Sequence, residues 1–344
     1  MSGFPIVDLV VGVIFIYFLL SIICSSAVEI VLTMGRFRAK MLERWLMSIF
    51  NKEVTKTNGE KVLLGQAIMD HCSLTALSPN GKATSYIDAK NFAEALLEKI
   101  SYDLNNPKSV AHDLDDLIAS IQNSKALPDD MQRVLLSYAN DSKNTYRSVS
   151  LKTISEVQLF KSKIENWFNS NMDRVGGALK SQYIRPFTFW IAFCIAIFFN
   201  ADSISIAQYL YNNPQARAKM AAQAYSTIKD EGFKAQVEKI RSAEAVDDST
   251  KQSLAQLTDT ITARANQLKV AKAALDDTMP LGWNDRVFND AEGNFNWLLI
   301  PSKIAGLAAT VLAIMMGAPF WFDLLNKIAN LRGAGKKPEE SEKK

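Results

Sequence analysis

The chain has 344 residues, 48% of them apolar, and its 39 Lys and Arg against 36 Asp and Glu give a formal net charge of +3. This length is enough for about two domains, and the nearly balanced charge argues against nucleic-acid binding, which requires a strongly basic surface. Three Cys and two His are too few and too scattered for a zinc or haem site, so no metal or other cofactor is expected.

The first predicted element is a membrane span within residues 1–34. Residues 6–34 are almost wholly apolar, with Asp8 and Glu29 as their only ionisable side chains, and about 20 apolar residues cross a bilayer. The first positive charge, Arg36, follows the span, so we expect an uncleaved anchor and not a signal peptide. Ser21 and Ser25 lie on the same helix face as Glu29 and are expected to form hydrogen bonds to another helix.

Residues 35–185 are predicted to form a cytoplasmic helical domain. Asp88 caps a helix with apolar residues at helical spacing, and Pro128 precedes a second such helix. A last helix, from about 151 to 182, carries a long apolar stripe and is expected to run towards the membrane. No run of alternating β-branched residues predicts a strand.

Two groups of residues in this domain are candidates for a catalytic or metal site. His71 and Cys72 are neighbours, whose side chains diverge by about 100° on a helix, so they do not favour a nucleophilic dyad. The carboxylates of residues 112–116 could bind Mg²⁺, but acidic residues in the first turn of a helix are explained by its dipole. Common nucleotide and hydrolase motifs are absent from the sequence, so we expect no enzyme and no catalytic residue, with a carboxylate-dependent enzyme as the least favoured alternative.

The second predicted span covers residues 186–211. Its apolar run begins after Pro186 and is short, so the prediction depends on a polar continuation through Asn200 and Asp202. Residues 212–296 are predicted to be an external helical hairpin, with one helix beginning at Pro214 and the second after Asp247. Contact of this hairpin with a second copy of the chain is an alternative.

The third predicted span covers residues 297–326 and is followed by a basic, disordered tail at 327–344. Lys303 lies near its start and Asp323 near its end. Small residues at four-residue spacing predict a helix-packing seam, and Pro319 predicts a bend before an aromatic cluster. The seam residues are Ala305, Ala309, Ala313 and Gly317, and Trp283, Trp297 and Trp321 suit the membrane interface.

The distribution of Lys and Arg near the span ends predicts the orientation. Because cytoplasmic flanks are enriched in these residues, we expect the amino terminus outside and the carboxyl terminus in the cytoplasm. One side carries eleven such residues, namely Arg36, Arg38, Lys40, Arg44, Arg174, Lys180, Arg185, Lys327, Arg332, Lys336 and Lys337, and the other carries Arg217, Lys219 and Arg286.

Ionisable groups within spans are the main candidate site residues, since they are costly in a bilayer. From their depth we predict that Asp202 pairs with Lys303, with Asp8 nearby. Glu29 and Asp323 are expected near the inner face, within reach of positive side chains there; the candidates for those are Arg36, Arg185 and Lys327. A purely structural ion pair between helices is the alternative interpretation of both groups.

Two stretches carry a family resemblance. IENWFNSNMDRVGG leads into a span that ends FFNADSISIAQYL, and GAPFWFDLLNKIANLRGAGKKP closes the third span. Together they resemble an uncharacterised family of bacterial inner-membrane proteins with three spans. The resemblance implies a bacterial inner membrane location and points to Asn200, Asp202 and the Pro319–Asp323 segment.

The sequence therefore predicts an all-α integral membrane protein with three spans, a cytoplasmic helical domain and an external hairpin. The function we expect is that of an anchor, scaffold or sensor that recruits a protein partner, or a second copy, to the bilayer. The alternative is a homo-oligomeric ion channel or transport component that uses the polar groups within the spans.

Overall fold

The computed structural model describes residues 5–55, 59–75, 87–101, 113–148, 154–244, 283, 297 and 299–334. Over these residues the chain is mostly helical, which confirms the predicted all-α class. It divides into two compact units: unit 1 comprises Met1–Val31 and Tyr183–Lys344, and unit 2 comprises Leu32–Gln182. The limits of unit 2 lie within three residues of the predicted domain at 35–185.

Unit 2 contains most of the shorter helices and one strand pair. Its elements in chain order are α2 (Phe37–Ile49), β1 (Glu53–Thr55), β2 (Lys61–Leu63), α3 (Leu64–Met69), α4 (Cys72–Thr75), α5 (Ala89–Ser101), α6 (Leu114–Asn123), α7 (Asp129–Ser148) and α8 (Glu156–Leu179). The strands are antiparallel, with Val54 opposite Val62. At three residues each they are too short to show an alternating pattern, which is why they escaped prediction.

The core of unit 2 is built around aromatic rings from α2, α5 and α8. Phe92 on α5 and Phe168 on α8 are fully buried, and their rings stack with centroids 4.2 Å apart. Trp45 and Trp167 pack around them. The predicted capping of α5 by Asp88 is confirmed, because the Asp88 side chain accepts hydrogen bonds from backbone N–H groups in the first turn of this helix.

Unit 1 contains the apolar helices. Its elements are α1 (Pro5–Met34, whose last residues belong to unit 2), α9 (Arg185–Phe198), α10 (Ser203–Asn212), α11 (Pro214–Lys229), α12 (Glu231–Glu244), α13 (Leu299–Met315) and α14 (Ala318–Ala334). α13 packs against α9 and α10, while α14 packs against α11 and α12. Of the predicted hairpin at 212–296, the second helix after Asp247 lies outside the described residues.

Within the part of the chain that the structure describes, two helices are long and apolar enough to cross a membrane, and they indicate a membrane protein. They are α1 and a continuous helix from Glu156 to Phe198. The second runs through Pro186 without a break, by way of a π-helical segment at Lys180–Ile184. Proline removes one backbone hydrogen bond and crowds the carbonyl four residues before it, and a π segment accommodates both effects.

The predicted second span differs from the structure at its outer end. The helix ends at Phe198, because Asn200 adopts a left-handed conformation with φ 48°. The Asn200 N–H donates to the carbonyl of Ile197, and the Ala201 N–H donates to that of Ala196, which together form a Schellman motif. The polar continuation predicted as part of the span is therefore a turn followed by the separate helix α10.

The predicted third span is bent. α13 and the following helix meet at an angle of 91°, so they count as a third span only if the bent pair crosses as one. The prediction of a bend is confirmed, although its origin is Gly317, whose φ of 83° few other residues adopt. Pro319 is the second residue of α14, where its missing N–H costs nothing.

Candidate functional site: a buried polar cluster in unit 1

The main polar feature of unit 1 is the ion pair between Asp202 and Lys303. Nζ of Lys303 lies 3.3 Å from Oδ2 of Asp202. The exposed fractions of Lys303 and Asp202 are 8% and 3%, so the pair is removed from solvent within the chain. The prediction that these two groups meet is confirmed. The pair brings the turn after α9 against the first turns of α13.

Asp202 is held by its own backbone as well as by Lys303. Its Oδ1 accepts a hydrogen bond of 2.9 Å from the N–H of Ile204, which caps α10, and its Oδ2 accepts one of 2.7 Å from Ser205 Oγ. These hydrogen bonds use both oxygens of a carboxylate that is removed from water, which offsets part of the cost of its burial. The negative charge of Asp202 is therefore compensated both by groups that follow it in the sequence and by Lys303 on α13.

Gly306 makes this approach possible. A Cβ atom at position 306 would overlap the Asp202 carboxylate, so only glycine leaves room for it on α13. In α13, Lys303 and Gly306 are three residues apart and thus share one helix face. Lys303, which supplies the positive charge, and Gly306, which leaves room for the carboxylate, therefore lie on the same face of α13.

A chain of hydroxyl groups continues from the ion pair across three helices. Tyr17 on α1 donates to Ser203 Oγ at 2.7 Å, and Ser203 Oγ lies 2.7 Å from Thr310 Oγ1. Thr310 donates its proton to the carbonyl of Gly306 at 3.0 Å. Because each hydroxyl has one proton, Ser203 must donate to Thr310 and accept from Tyr17. The order of donors is thus fixed along the whole chain of hydroxyls.

We define the polar cluster as Tyr17, Asp202, Ser203, Ser205, Lys303 and Thr310, with Gly306 beneath it. Its members join α1, the start of α10 and α13 through buried, directional bonds. Such a network is well suited to fix the register of packed helices, because a slipped register would leave buried polar groups unpaired.

The other predicted polar residues have different surroundings. Asn200 and Asp8 are each 3% exposed, and Asn200 forms the turn that ends α9. Glu29 is half-buried in α1. The proximity of Asp8 to the ion pair, and the contact of Glu29 with a positive side chain, stay predictions. Ser21 forms the expected interhelical bond, as its hydroxyl donates to the carbonyl of Ile314 at 3.3 Å.

Asp323 pairs with a residue that the sequence did not suggest. Instead of Arg36, Arg185 or Lys327, its carboxylate contacts Arg241 on α12, with Nη2 2.9 and 2.8 Å from the two oxygens. Arg241 lies in the segment that the sequence assigns to the opposite membrane face. Periodicity along single helices carries no information on this pairing, which depends on the fold of α14 against α12.

The predicted small-residue seam is also displaced. Ala305 and Ala309 are exposed within the chain, whereas Ala313 is buried and Gly317 half-buried. The packed face instead runs along Lys303, Gly306 and Thr310. The packed face differs from the predicted one because the Asp202–Lys303 ion pair, and not close backbone packing alone, sets the rotation of α13 about its axis.

The three tryptophans that were predicted at the membrane interface differ in their exposure within the chain. Trp321 is buried within the chain, and its indole N–H donates to the carbonyl of Ala313 at 2.7 Å. Trp283 is half-exposed and its N–H donates to the carbonyl of Ile197 in the last turn of α9. Trp297 is exposed.

The candidates in unit 2 have structural roles. Nδ1 of His71 lies 2.7 Å from Ser73 Oγ and Nε2 lies 2.8 Å from Glu98, while Cys72 is exposed, so the neighbours do not form a dyad. His71 Nδ1 also accepts from the backbone N–H of Ser73 at 3.3 Å, which places it as a cap of α4.

The acidic stretch after residue 112 behaves as a helix start. Asp113 caps α6 by accepting from the N–H of Asp116, and Asp115 pairs with Lys143 on α7. His112 lies outside the described residues. Among the residues that the structure describes, no three His, Cys, Asp or Glu are grouped so as to hold a metal ion.

Several cluster residues were missed at the sequence level. None of them is charged: Tyr17, Ser203 and Thr310 form the hydroxyl chain, Ser205 donates to Asp202, and Gly306 leaves room for the Asp202 carboxylate. Gly306 and Thr310 share four-residue spacing, as the predicted seam does, but on a different face of α13.

Comparisons with protein-family models, with curated proteins and with solved structures found no match for the chain.

Proposed function

We propose that the protein is a membrane-anchored scaffold, in which unit 1 holds the chain in the bilayer and unit 2 recruits a protein partner. The observation that carries this proposal is the closed state of the polar cluster. Asp202 and Lys303 are almost fully buried and bonded to each other and to neighbouring helices. An ion path would instead need these groups to line a space that water can enter.

Unit 2 supports the other half of the proposal. It has its own aromatic core and is built from amphipathic helices whose outer faces are polar. α7 is 20 residues long and presents an uninterrupted polar surface that includes Arg133, Ser137, Asn140 and Asn144, all of them exposed. A long polar helix face on a separately packed unit suits transient contact with a soluble partner.

The orientation we propose places unit 2 in the cytoplasm of a bacterial cell, with the amino terminus outside the inner membrane. Unit 2 carries Arg36, Arg38 and Lys40 near its start and Lys180 near its end, and Arg185 follows it. Positive residues beside both crossing helices favour the cytoplasmic side for the segment between them.

Site-directed photo-crosslinking of the full chain in its native membrane tests the scaffold proposal. A photoreactive residue placed at Ser137 or Asn144 is expected to give one reproducible adduct with a second protein. The same residue at Leu312, which is exposed on α13, is the matched control and is expected to give no adduct of that mass.

Reconstitution into liposomes distinguishes the channel alternative. The purified full chain is expected to give no more proton or potassium flux than empty liposomes. Flux that is abolished by Asp202→Asn, together with no adduct from α7, would replace the scaffold by a homo-oligomeric channel.

A further inference from the structure

The bent pair α13–α14 ends against helices that follow the second span. α14 packs against both α11 and α12, and the bond between Arg241 and Asp323 joins α12 to α14 directly. The side chains of Arg241 and Asp323 are 44% and 53% exposed. Two half-exposed charges need water or headgroups around them, so this contact belongs at an aqueous boundary and not inside the hydrocarbon.

α14 also contacts α1 far from the end of that helix. The rings of Tyr17 and Trp321 lie 5.0 Å apart and those of Phe18 and Phe322 lie 5.7 Å apart. Ser21 contacts the carbonyl of Ile314 near the end of α13. Between Ile314 and Phe322 the chain has therefore turned back along α1, from the level of Ser21 to that of Phe18.

A long part of α1 lies beyond these contacts. α1 continues from Ser21 to Met34, which is 13 residues or about 20 Å of helix. A third span that crossed the bilayer beside α1 would follow it through this part. The contacts of α13 and α14 with α1 given above lie between Tyr17 and Ser21, and the 91° bend follows Ile314 at once.

We propose that α13–α14 is a re-entrant pair that enters the bilayer and returns without crossing it. α14 and Lys327 then lie on the same side of the membrane as the amino terminus, α11 and α12. This assignment replaces the predicted third span and the cytoplasmic position of the segment after it. It uses the crossing of α1 and α9 that the proposed function also assumes.

Cysteine labelling of the full chain in sealed vesicles of known orientation tests the proposal. Cys72 and Cys194, which are exposed, are first replaced by Ser. A single cysteine is then introduced by Lys327→Cys, Gln215→Cys or Ser137→Cys, at positions that are exposed on α14, α11 and α7. The probe is a membrane-impermeant maleimide.

We expect Lys327→Cys and Gln215→Cys to be labelled in the same vesicle orientation, at least tenfold more than in the opposite one. Ser137→Cys is expected to show the reverse preference. Labelling of Lys327→Cys together with Ser137→Cys would show that the pair crosses and would overturn the proposal. Labelling of Gln215→Cys together with Ser137→Cys would instead contradict the crossing of the second span.

A cross-link provides the second measurement. In the same background, Arg241→Cys with Asp323→Cys is expected to give an intramolecular link with a short bis-maleimide, detected by mass spectrometry of the joined peptides. Each single variant is the control. Absence of the link in a chain that is correctly inserted would overturn the contact, and with it the re-entrant pair.

Discussion

The carboxylate of Asp202 rests on the backbone of Gly306, at the one position of α13 where a side chain would overlap it. This contact lets Lys303, one turn earlier, reach the same carboxylate. The packing of α13 against the turn after α9 thus depends as much on a missing side chain as on the ion pair.

Gly306→Ala is expected to destabilise unit 1. The added methyl group must displace the Asp202 carboxylate, and overpacking of this kind costs about 1–3 kcal/mol. SDS titration of the full chain in mixed micelles, followed by circular dichroism, measures the change in the free energy of unfolding.

Gly177→Ala is the matched control. Gly177 lies in α8, and apart from the neighbouring backbone of α8 no atom lies within 4 Å of the place that a Cβ atom would occupy, so its substitution should stabilise the helix by up to about 1 kcal/mol. A Gly306→Ala variant as stable as the Gly177→Ala variant would show that the carboxylate does not rest on α13.

Removal of one partner of the ion pair is expected to cost more than removal of both. Lys303→Met leaves the Asp202 carboxylate buried without its cation, which costs about 3–5 kcal/mol in buried pairs. Asp202→Asn together with Lys303→Met leaves no buried charge, while Asn still caps α10. The same SDS titration should therefore place the double variant closer to the native chain than Lys303→Met alone.

If the changes in the free energy of unfolding caused by Asp202→Asn and Lys303→Met simply added, the two side chains would not be coupled, which would contradict the prediction. The comparison is a double-mutant cycle, which isolates the interaction between contacting groups from their separate effects. Its neutral reference is Lys327→Met on α14, where the side chain is exposed and the expected change lies within about 0.5 kcal/mol.

Local patterns in the sequence were sufficient for the helix starts and for one long-range contact. Asp88 occupies the predicted cap position of α5, because capping depends only on the next few residues. The pairing of Asp202 with Lys303 followed from depth, since only groups at similar heights in neighbouring spans can meet.

The remaining features depend on backbone geometry that residue types do not specify. The left-handed Asn200 ends α9 early, and the left-handed Gly317 turns α14 through a right angle. Each of these left-handed residues redirects the helix that follows it. Asp323 therefore contacts Arg241 and not a residue that the sequence places at a similar depth. The seam on α13 was misplaced for a similar reason, because Lys303 fixed the rotation of that helix.

Phe92→Ala is expected to destabilise unit 2 more than a substitution at an exposed position does. Phe92 is fully buried and stacks on Phe168, and truncation of a buried Phe costs about 3–5 kcal/mol. Near-ultraviolet circular dichroism during urea titration of the full chain in detergent follows the loss of aromatic packing. Ser137→Ala on the exposed face of α7 is the control, and an equal midpoint for both variants would contradict a core centred on Phe92.

The pH dependence of unit 2 is expected to include a contribution from Asp129 at the start of α7. A hydrogen bond of 2.8 Å from Lys52 and then the positive charge of Lys52 hold the pKa of this carboxyl below its usual value, with a smaller effect from Arg133. Because the pKa is lowered by folding, the stabilisation is present above the pKa of the unfolded chain, about 3.9, and is lost as the pH falls through the folded value.

Lys52→Met should therefore raise the pKa of Asp129 towards its usual value, as measured by NMR titration of ¹³C-labelled aspartate in the full chain. Arg133→Met is the matched control, since Arg133 contributes least to the lowering, and its effect on the same pKa should be the smaller of the two. An Arg133→Met variant with the larger rise would show that the charge at the helix start, and not the bond from Lys52, controls this carboxyl.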